Sequence, residues 1–225
     1  MKSTLYIVPT PIGNPKDITL RAFEVLKSAD LIICEEYKPA RRFLSNYEIK
    51  SELLAMNEHN EKDERNAIIL KILECKNVAL ISDCGTPVFS DPGQKLLETA
   101  IEFGINIITL PGPSSLMTAL SGAGIDVDRF YFYGWLPREK DERKRELLEL
   151  RKRKELIVLM DTPYRLIKIL SEIESFFGKN REIILAYELT KPKEYFYRGT
   201  VSKIHSDAQK INLKGEFVLL VRNDL

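Results

Sequence analysis

The feature that most constrains this chain is an alternation repeated along its first half. Short apolar runs at residues 5–8, 31–34, 78–81 and 105–110 are separated by longer stretches with helical spacing at 19–28, from Pro39 onward, at 61–74 and at 92–103. The stretch 61–74 carries Ile68, Ile69, Ile72 and Leu73 as an apolar stripe, the i, i+3, i+4 spacing of a helix packed on one side. A short run that is apolar throughout reads as a strand buried on both faces, and strand–helix alternation joins such strands in parallel. The first half is therefore expected to be a mostly parallel sheet covered on both faces. Asp91 is the expected N-cap of the helix 92–103, with Pro92 at its first position.

Pro111-Gly112-Pro113-Ser114-Ser115 interrupts the pattern near mid-chain, and a length of 225 residues suits two modest domains. The expected division is an N-terminal α/β domain, 1–113, and a C-terminal mixed α/β domain, 114–225. In the second half 116–123 reads as a helix, 130–134 as a strand, 140–153 as a charged helix and 156–160 as a strand. Thr162-Pro163 opens a helix to about residue 177, and 183–187, 194–199 and 216–221 read as strands, the last two able to pair antiparallel.

Composition excludes several classes. A net charge of +1 gives no global basic field, so any nucleic-acid contact must use a local patch. The three cysteines, Cys34, Cys75 and Cys84, form no C-x-x-C pair, and the histidines are His59 and His205. Neither a disulfide framework nor a Cys/His zinc site is expected, no metal is assigned, and a reducing cytoplasm is the expected compartment. Both histidines read as surface residues. The apolar run at 5–8 ends at Pro9, too short for a signal-peptide core, and no run approaches the ~20 apolar residues of a membrane span.

Four polar, turn-rich loops carry the candidate chemistry: Pro9-Thr10-Pro11-Ile12-Gly13-Asn14, Ser82-Asp83-Cys84-Gly85-Thr86-Pro87, Ser90-Asp91-Pro92-Gly93 and Pro111-Gly112-Pro113-Ser114-Ser115. Ligands of open α/β sheets bind beyond the carboxyl ends of the strands; glycine and proline also punctuate ordinary turns. The first loop lacks G-x-G-x-x-G, and no G-x-x-x-x-G-K-[ST] occurs, which disfavours dinucleotides and nucleoside polyphosphates. An adenosine ligand without phosphates, such as S-adenosylmethionine, needs no such amide cradle.

These loops carry a resemblance. Val8-Pro9-Thr10-Pro11-Ile12-Gly13-Asn14 with Asp17-Ile18-Thr19-Leu20-Arg21-Ala22, Ser82-Asp83-Cys84-Gly85-Thr86-Pro87 with Ser90-Asp91-Pro92-Gly93, and Leu110-Pro111-Gly112-Pro113-Ser114-Ser115 with Ser121-Gly122-Ala123-Gly124 and Asp128-Arg129-Phe130 follow in order. Gly134-Trp135-Leu136-Pro137-Arg138, Glu188-Leu189-Thr190-Lys191 and Lys214-Gly215-Glu216 complete the series. Together they resemble the ribosomal RNA small subunit methyltransferase I family, in the tetrapyrrole methylase superfamily, over nearly the whole chain.

The resemblance implies two α/β domains with S-adenosylmethionine in the cleft between them, a homodimer, and 2′-O-methylation of a cytidine ribose in small-subunit ribosomal RNA. It implies a cofactor site lined by Ile12, Gly85, Thr86 and Phe89, then Ser114 and Ser115, then Met160, Ala186, Lys214 and Gly215. Without it, Ile12, Phe89, Met160 and Ala186 read as plain core. Two departures stand out. Glu35-Glu36-Tyr37-Lys38-Pro39-Ala40-Arg41-Arg42 replaces the family's acidic-Asp-Thr-Arg stretch, and the chain stops where members usually continue into a helical extension. Both lie where substrate recognition is expected rather than in the cofactor loops.

A ribose hydroxyl is a weak acid, so its methylation is helped by a base or a nearby cation. Glu36, Asp83, Glu188 and Lys191 are the candidate catalytic residues; Asp83 could instead only fix its turn, and Glu188 only pair with Lys191. Residues 138–154 hold nine Lys/Arg against five Asp/Glu. With Arg41 and Arg42, Arg138, Arg143 and Arg145 are the expected RNA contacts, although such a run also fits a solvated helix laced by Glu142, Glu146 and Glu149. Trp135, Tyr131 and Tyr133 suit stacking on a splayed base or a buried strand. A small-molecule, tetrapyrrole-type methyltransferase of the same fold and a non-catalytic scaffold are the alternatives. The intact loops around Gly85 and Gly112 argue against the scaffold.

Overall fold

The structure, a computed structural model, describes residues 3–57, 61–89 and 92–223. The chain divides into two compact units, Met1–Ser114 and Ser115–Leu225. The expected cap Asp91 and surface residue His59 lie outside the described residues.

The first unit contains β1 (Thr4–Ile7), α1 (Leu20–Ser28), β2 (Leu31–Cys34), α2 (Tyr37–Ser45), β3 (Glu52–Ala55), α3 (Glu61–Glu74), β4 (Asn77–Leu80), α4 (Gln94–Glu102) and β5 (Asn106–Thr109). The strands form a fully parallel sheet of order β3-β2-β4-β1-β5. Side chains alternate across a strand, and here both faces are covered. Leu31, Ile33, Val78 and Leu80 meet Ile68, Ile69 and Ile72 of α3 and Leu96 of α4. Ile32, Cys34, Ala79 and Ile81 meet Ala22 and Leu26 of α1 and Ala40 and Leu44 of α2. Helix α1 begins where the Thr19 hydroxyl accepts the Ala22 amide at 3.1 Å.

Two expectations shift here. Helix α4 starts at Gln94, after Gly93 at φ 119°, not at Pro92. Strand β3 was not expected: it is short, begins with exposed Glu52 and only half-buries Leu53, Leu54 and Ala55 as a sheet edge.

The second unit contains α5 (Ser115–Gly122), β6 (Phe130–Gly134), α6 (Lys140–Leu150), β7 (Leu156–Asp161), α7 (Leu166–Phe177), β8 (Glu182–Tyr187), β9 (Tyr195–Thr200), α8 (Val201–Lys210) and β10 (Phe217–Val221). The sheet is mixed, of order β6-β7-β10-β8-β9; β6 and β7 are parallel and the other neighbours antiparallel. One face packs on α6, α7 and α8 through Leu147, Leu150, Ile169, Ile173 and Ile204. Strands β9 and β10 do not pair with each other, contrary to the expectation; each pairs with β8. Residues 183–187 of β8 are buried on both faces, so β8 takes an interior place and half-exposed β9 takes the edge. Helix α7 is entered through a 3-10 turn at Pro163–Arg165. Helix α8, also not expected, buries Val201, Ile204 and Ala208 at helical spacing.

Candidate functional site

In the first unit β1 lies between β4 and β5, and α1 and α4, the helices that follow β1 and β4, cover opposite faces. Loops leaving such neighbouring strands diverge, the place where open α/β sheets bind ligands. Three short links knit the loops there. Thr10 and Gly85 form an antiparallel bridge, with N–H···O distances of 2.8 and 3.0 Å. The Thr86 hydroxyl donates to the Pro113 carbonyl at 3.1 Å. Gly112 packs against Pro9, where a Cβ would stand 2.6 Å from the proline Cβ. The Thr10 hydroxyl also donates to the Ser82 carbonyl at 3.3 Å.

Within this set Gly85 is buried at φ 81°, the left-handed region that favours glycine. A Cβ there would touch only Ile12, at an ordinary 3.5 Å, so the glycine serves the backbone turn more than space. Ile12, Thr86, Ser114 and Ser115 are half-buried, and Phe89 is exposed.

Glu35, Glu36 and Asp83 gather at the ends of β2 and β4. The Asp83 amide donates to Glu35 Oε1 at 3.4 Å. Desolvation, then the Glu36 charge, raises the Asp83 carboxyl above its usual range. Glu36 is the exposed residue before α2. Arg41 and Arg42 are exposed on α2, Arg41 lying 5.5 Å from the Tyr37 ring centroid.

In the second unit the loops after β8 and before β10 meet. The Glu188 amide donates to the Glu216 carbonyl and the Glu216 amide returns to Glu188 Oε1, both at 2.8 Å. Lys191 Nζ lies 2.9 Å from the same oxygen. Glu188 and Thr190 hold φ of 50° and 63°, a strained arrangement for non-glycine residues that the surrounding bonds must enforce. Gly215 fits only as glycine, since a Cβ would lie 2.5 Å from Glu188 Cγ and 2.6 Å from the Tyr187 hydroxyl.

An open cavity of about 490 Å³ lies here, its lining including Tyr187, Glu188, Lys191, Lys193, Lys214 and Glu216. Burial alone would raise Glu188, but the bonds from Lys191 and the Glu216 amide outweigh it and hold the carboxyl below its ordinary range. Glu216 moves the other way: desolvation raises it, Lys191 opposes and Glu188 adds to the rise. Met160 of β7 and Ala186 of β8 both register with Val218 of β10, so the sheet sets them on one face.

The chain matches the family model "Tetrapyrrole (Corrin/Porphyrin) Methylases" over residues 4–205. Over 217 residues it is 42% identical to the ribosomal RNA small subunit methyltransferase I of Bacillus subtilis, covering 96% of this chain and 74% of that one. It is 41% identical to the protein of the same name from Thermotoga maritima, covering 96% and 97%. The chain belongs to the ribosomal RNA small subunit methyltransferase I family. It is a methyltransferase. The Thermotoga relative is matched nearly end to end, so the helical extension expected of relatives is not general among them. Solved structures share the fold of this methyltransferase. A cobalt precorrin-4 methyltransferase aligns at TM-score 0.71 and 20% identity, covering 97% of this chain and 94% of its own. A diphthine synthase aligns at 0.77 and 14%, covering 98% and 90%.

Several expectations for this methyltransferase need correction. Arg143 is not an RNA contact: it is 1% exposed, and its guanidinium binds Glu172 at 2.8–3.0 Å and the carbonyls of Pro137 and Arg138 at 2.9 and 2.8 Å. The signal was present, because Arg143, Leu147 and Leu150 lie at i, i+4 and i+7 on the buried face of α6. Arg138 and Arg145 are exposed. His205 is half-buried with Nδ1 2.8 Å from Glu174, not a surface residue. Tyr131 carries the Arg153 guanidinium 3.4 Å from its centroid, and Tyr131 and Tyr133 are both half-buried against the core, which favours the strand reading of the two over base stacking. Tyr187, Lys193 and Glu216 were missed as site residues, since nothing local announces that the ends of β8 and β10 meet.

Proposed function

We propose that the chain transfers a methyl group from S-adenosylmethionine to the ribose 2′-hydroxyl of a cytidine in small-subunit ribosomal RNA. The observation that carries this reading is the match, over 96% of the chain, to relatives bearing the ribosomal RNA name. The tetrapyrrole-acting neighbours, at 16–20% identity, speak for fold alone. A working place in the cytoplasm, as a homodimer, accompanies the proposal.

The residues suit an adenosyl ligand without phosphates. The first unit offers a left-handed glycine, Gly85, the hydroxyls of Thr86 and Ser114, and the apolar side chains of Ile12 and Phe89, while Ser115 opens the second unit. The second offers Met160 and Ala186 on one sheet face and Lys214-Gly215 packed against Tyr187. Lys214 serves best through its main chain, because an ammonium repels a sulfonium. When bound, S-adenosylmethionine supplies an electrophilic methyl group.

The chain's own residues divide the remaining work. A base is useful when its surroundings raise it toward the working pH. By that criterion Asp83 and Glu216, both raised, are better bases than Glu188, which is held down. Glu188 instead pairs with Lys191, and the Lys191 ammonium is assigned to stabilise an oxyanion. Exposed Arg41, Arg42, Arg138 and Arg145 are assigned to RNA phosphates.

The test is labelled-methyl transfer to small ribosomal subunits and, in parallel, to free tetrapyrroles. Label in RNA, mapped to a cytidine 2′-oxygen, is the expected result. Label only in tetrapyrrole, or none in either, overturns the proposal.

A further inference from the structure

Trp135 is the sole tryptophan of the chain. It lies between buried Gly134 and buried Leu136, yet is 49% exposed. Three features hold it outward. The register of β6 against β7 breaks between Phe132 and Gly134, the kind of irregularity that re-aims the next side chain. Gly134 takes φ 78°, which turns the chain out of the strand. The following carbonyls are then bonded by two arginines. Arg165 donates to Leu136 and Pro137 at 3.0 and 3.1 Å. Arg143 donates to Pro137, Arg138 and Glu139 at 2.9, 2.8 and 3.4 Å.

Both arginines are in turn held by carboxylates, Arg143 by Glu172 at 2.8 Å and Arg165 by Asp161 at 3.1 Å. Burying such charges adds little net stability, and fixing one geometry is the role that best accounts for them. A loop this constrained that nonetheless displays an indole to water is preorganised for a flat partner. Exposed cations lie along its flank, Arg138 beside it and Lys140, Lys144 and Arg145 on the helix that follows, interleaved with exposed Glu139, Asp141 and Glu142.

We propose that Trp135 is a stacking platform for an unpaired base of the RNA substrate, with Arg138 beside it for the adjoining phosphate and Arg143 and Arg165 as positioning residues beneath. A flat aromatic face next to cations is the chemistry that binds single-stranded nucleic acid. This rests on the RNA reading above.

Because Trp135 is the only indole, its emission reports the contact directly. Titrating the full chain with a single-stranded, pyrimidine-rich oligoribonucleotide is expected to quench that emission saturably, with a midpoint that rises with salt. Trp135→Ala is expected to raise the KM for small ribosomal subunits roughly 5- to 150-fold, leaving kcat and S-adenosylmethionine affinity nearly unchanged, and Trp135→Phe to recover most of the loss. Arg143→Lys should lower the emission anisotropy of Trp135 in the folded, RNA-free chain. Emission indifferent to RNA, an unchanged KM for Trp135→Ala, or emission that instead follows chain concentration without RNA overturns the platform; unchanged anisotropy overturns the positioning role. A wild-type chain that labels no ribosomal RNA defeats the RNA reading, whereas equal KM values for wild type and Trp135→Ala defeat only the platform.

Discussion

Gly112 lies directly against Pro9, so close that a Cβ at position 112 would stand 2.6 Å from the Pro9 Cβ. A proline ring has little room to yield. The contact locks the loop after β5 to the loop after β1, next to the Thr10–Gly85 bridge and the Thr86–Pro113 bond.

Gly112→Ala is therefore expected to push two loops apart while leaving both strands intact. Overpacking of this kind costs about 1–3 kcal/mol. Calorimetry with S-adenosylhomocysteine should show weakened binding, and thermal unfolding a lowered but still cooperative transition. Unchanged affinity would remove these loops from the cofactor site.

Gly85 makes a separate prediction, because its side-chain position is nearly open while its backbone is not. With φ at 81° and only Ile12 within contact, Gly85→Ala should already destabilise the folded chain by about 1–3 kcal/mol. Denaturant unfolding of the alanine variant checks this. A neutral result would mean that space around the glycine, not its conformation, selects the residue.

Arg143 and Arg145 should part company when each is replaced by alanine. Arg143→Ala leaves Glu172 without its bidentate partner, and breaking such a buried pair typically costs about 3–5 kcal/mol. Arg145→Ala, on an exposed residue, should barely alter stability and should reduce the salt slope of RNA binding by about one. Unfolding curves and salt titrations of both variants distinguish the two roles.

Glu188 predicts an acid limb of stability. Its carboxyl is below its ordinary range in the folded chain, on balance of its bonds against burial. The stabilisation it contributes is full above the unfolded carboxylate range, about pH 4.3, and is lost as pH falls through the lower folded value. Glu216 acts oppositely: raised by desolvation, its ionised form opposes folding at neutral pH, and that opposition eases as pH falls through its raised value. Glu188→Gln should flatten the loss below about pH 4 in unfolding measured across pH, and an unaltered acid limb would show that other carboxylates set it.

Thiol chemistry separates the cysteines. Cys34 is buried, and desolvation followed by the Asp83 charge pushes it up to about 11, whereas Cys84 is exposed. At pH 8 a mild alkylating reagent should modify Cys84 in the folded chain and reach Cys34 only on unfolding. Mass mapping of the labelled residues checks the order.

Much of the first sheet was legible because its signals are local. Leu31 and Ile33 face one layer of helices and Ile32 and Cys34 the other, which a run of four apolar residues already implies, and Thr19 marks the start of α1 by its chemistry. The edge strand β3 escaped because an edge buries little. Arg143 escaped because a run of charges masks the helical period it shares with Leu147 and Leu150. At the site, the Glu188-Leu189-Thr190-Lys191 and Lys214-Gly215-Glu216 motifs stood out singly, but their junction did not.

What the residue order determined alone is most of the strands and helices, though not β3 or α8, the buried faces of the apolar elements, and the loops that carry glycines and hydroxyls. These follow from periodicity and turn chemistry within a few residues. Only the tertiary structure decided that β8 separates β9 from β10, that one oxygen of Glu188 serves both Lys191 and the Glu216 amide, and that two arginines hold Trp135 toward water. Each of those relations includes a partner well removed in the chain, Glu216 from Glu188 and Arg165 from Trp135 among them, where the arrangement is made by the packing of whole layers and not by any local pattern.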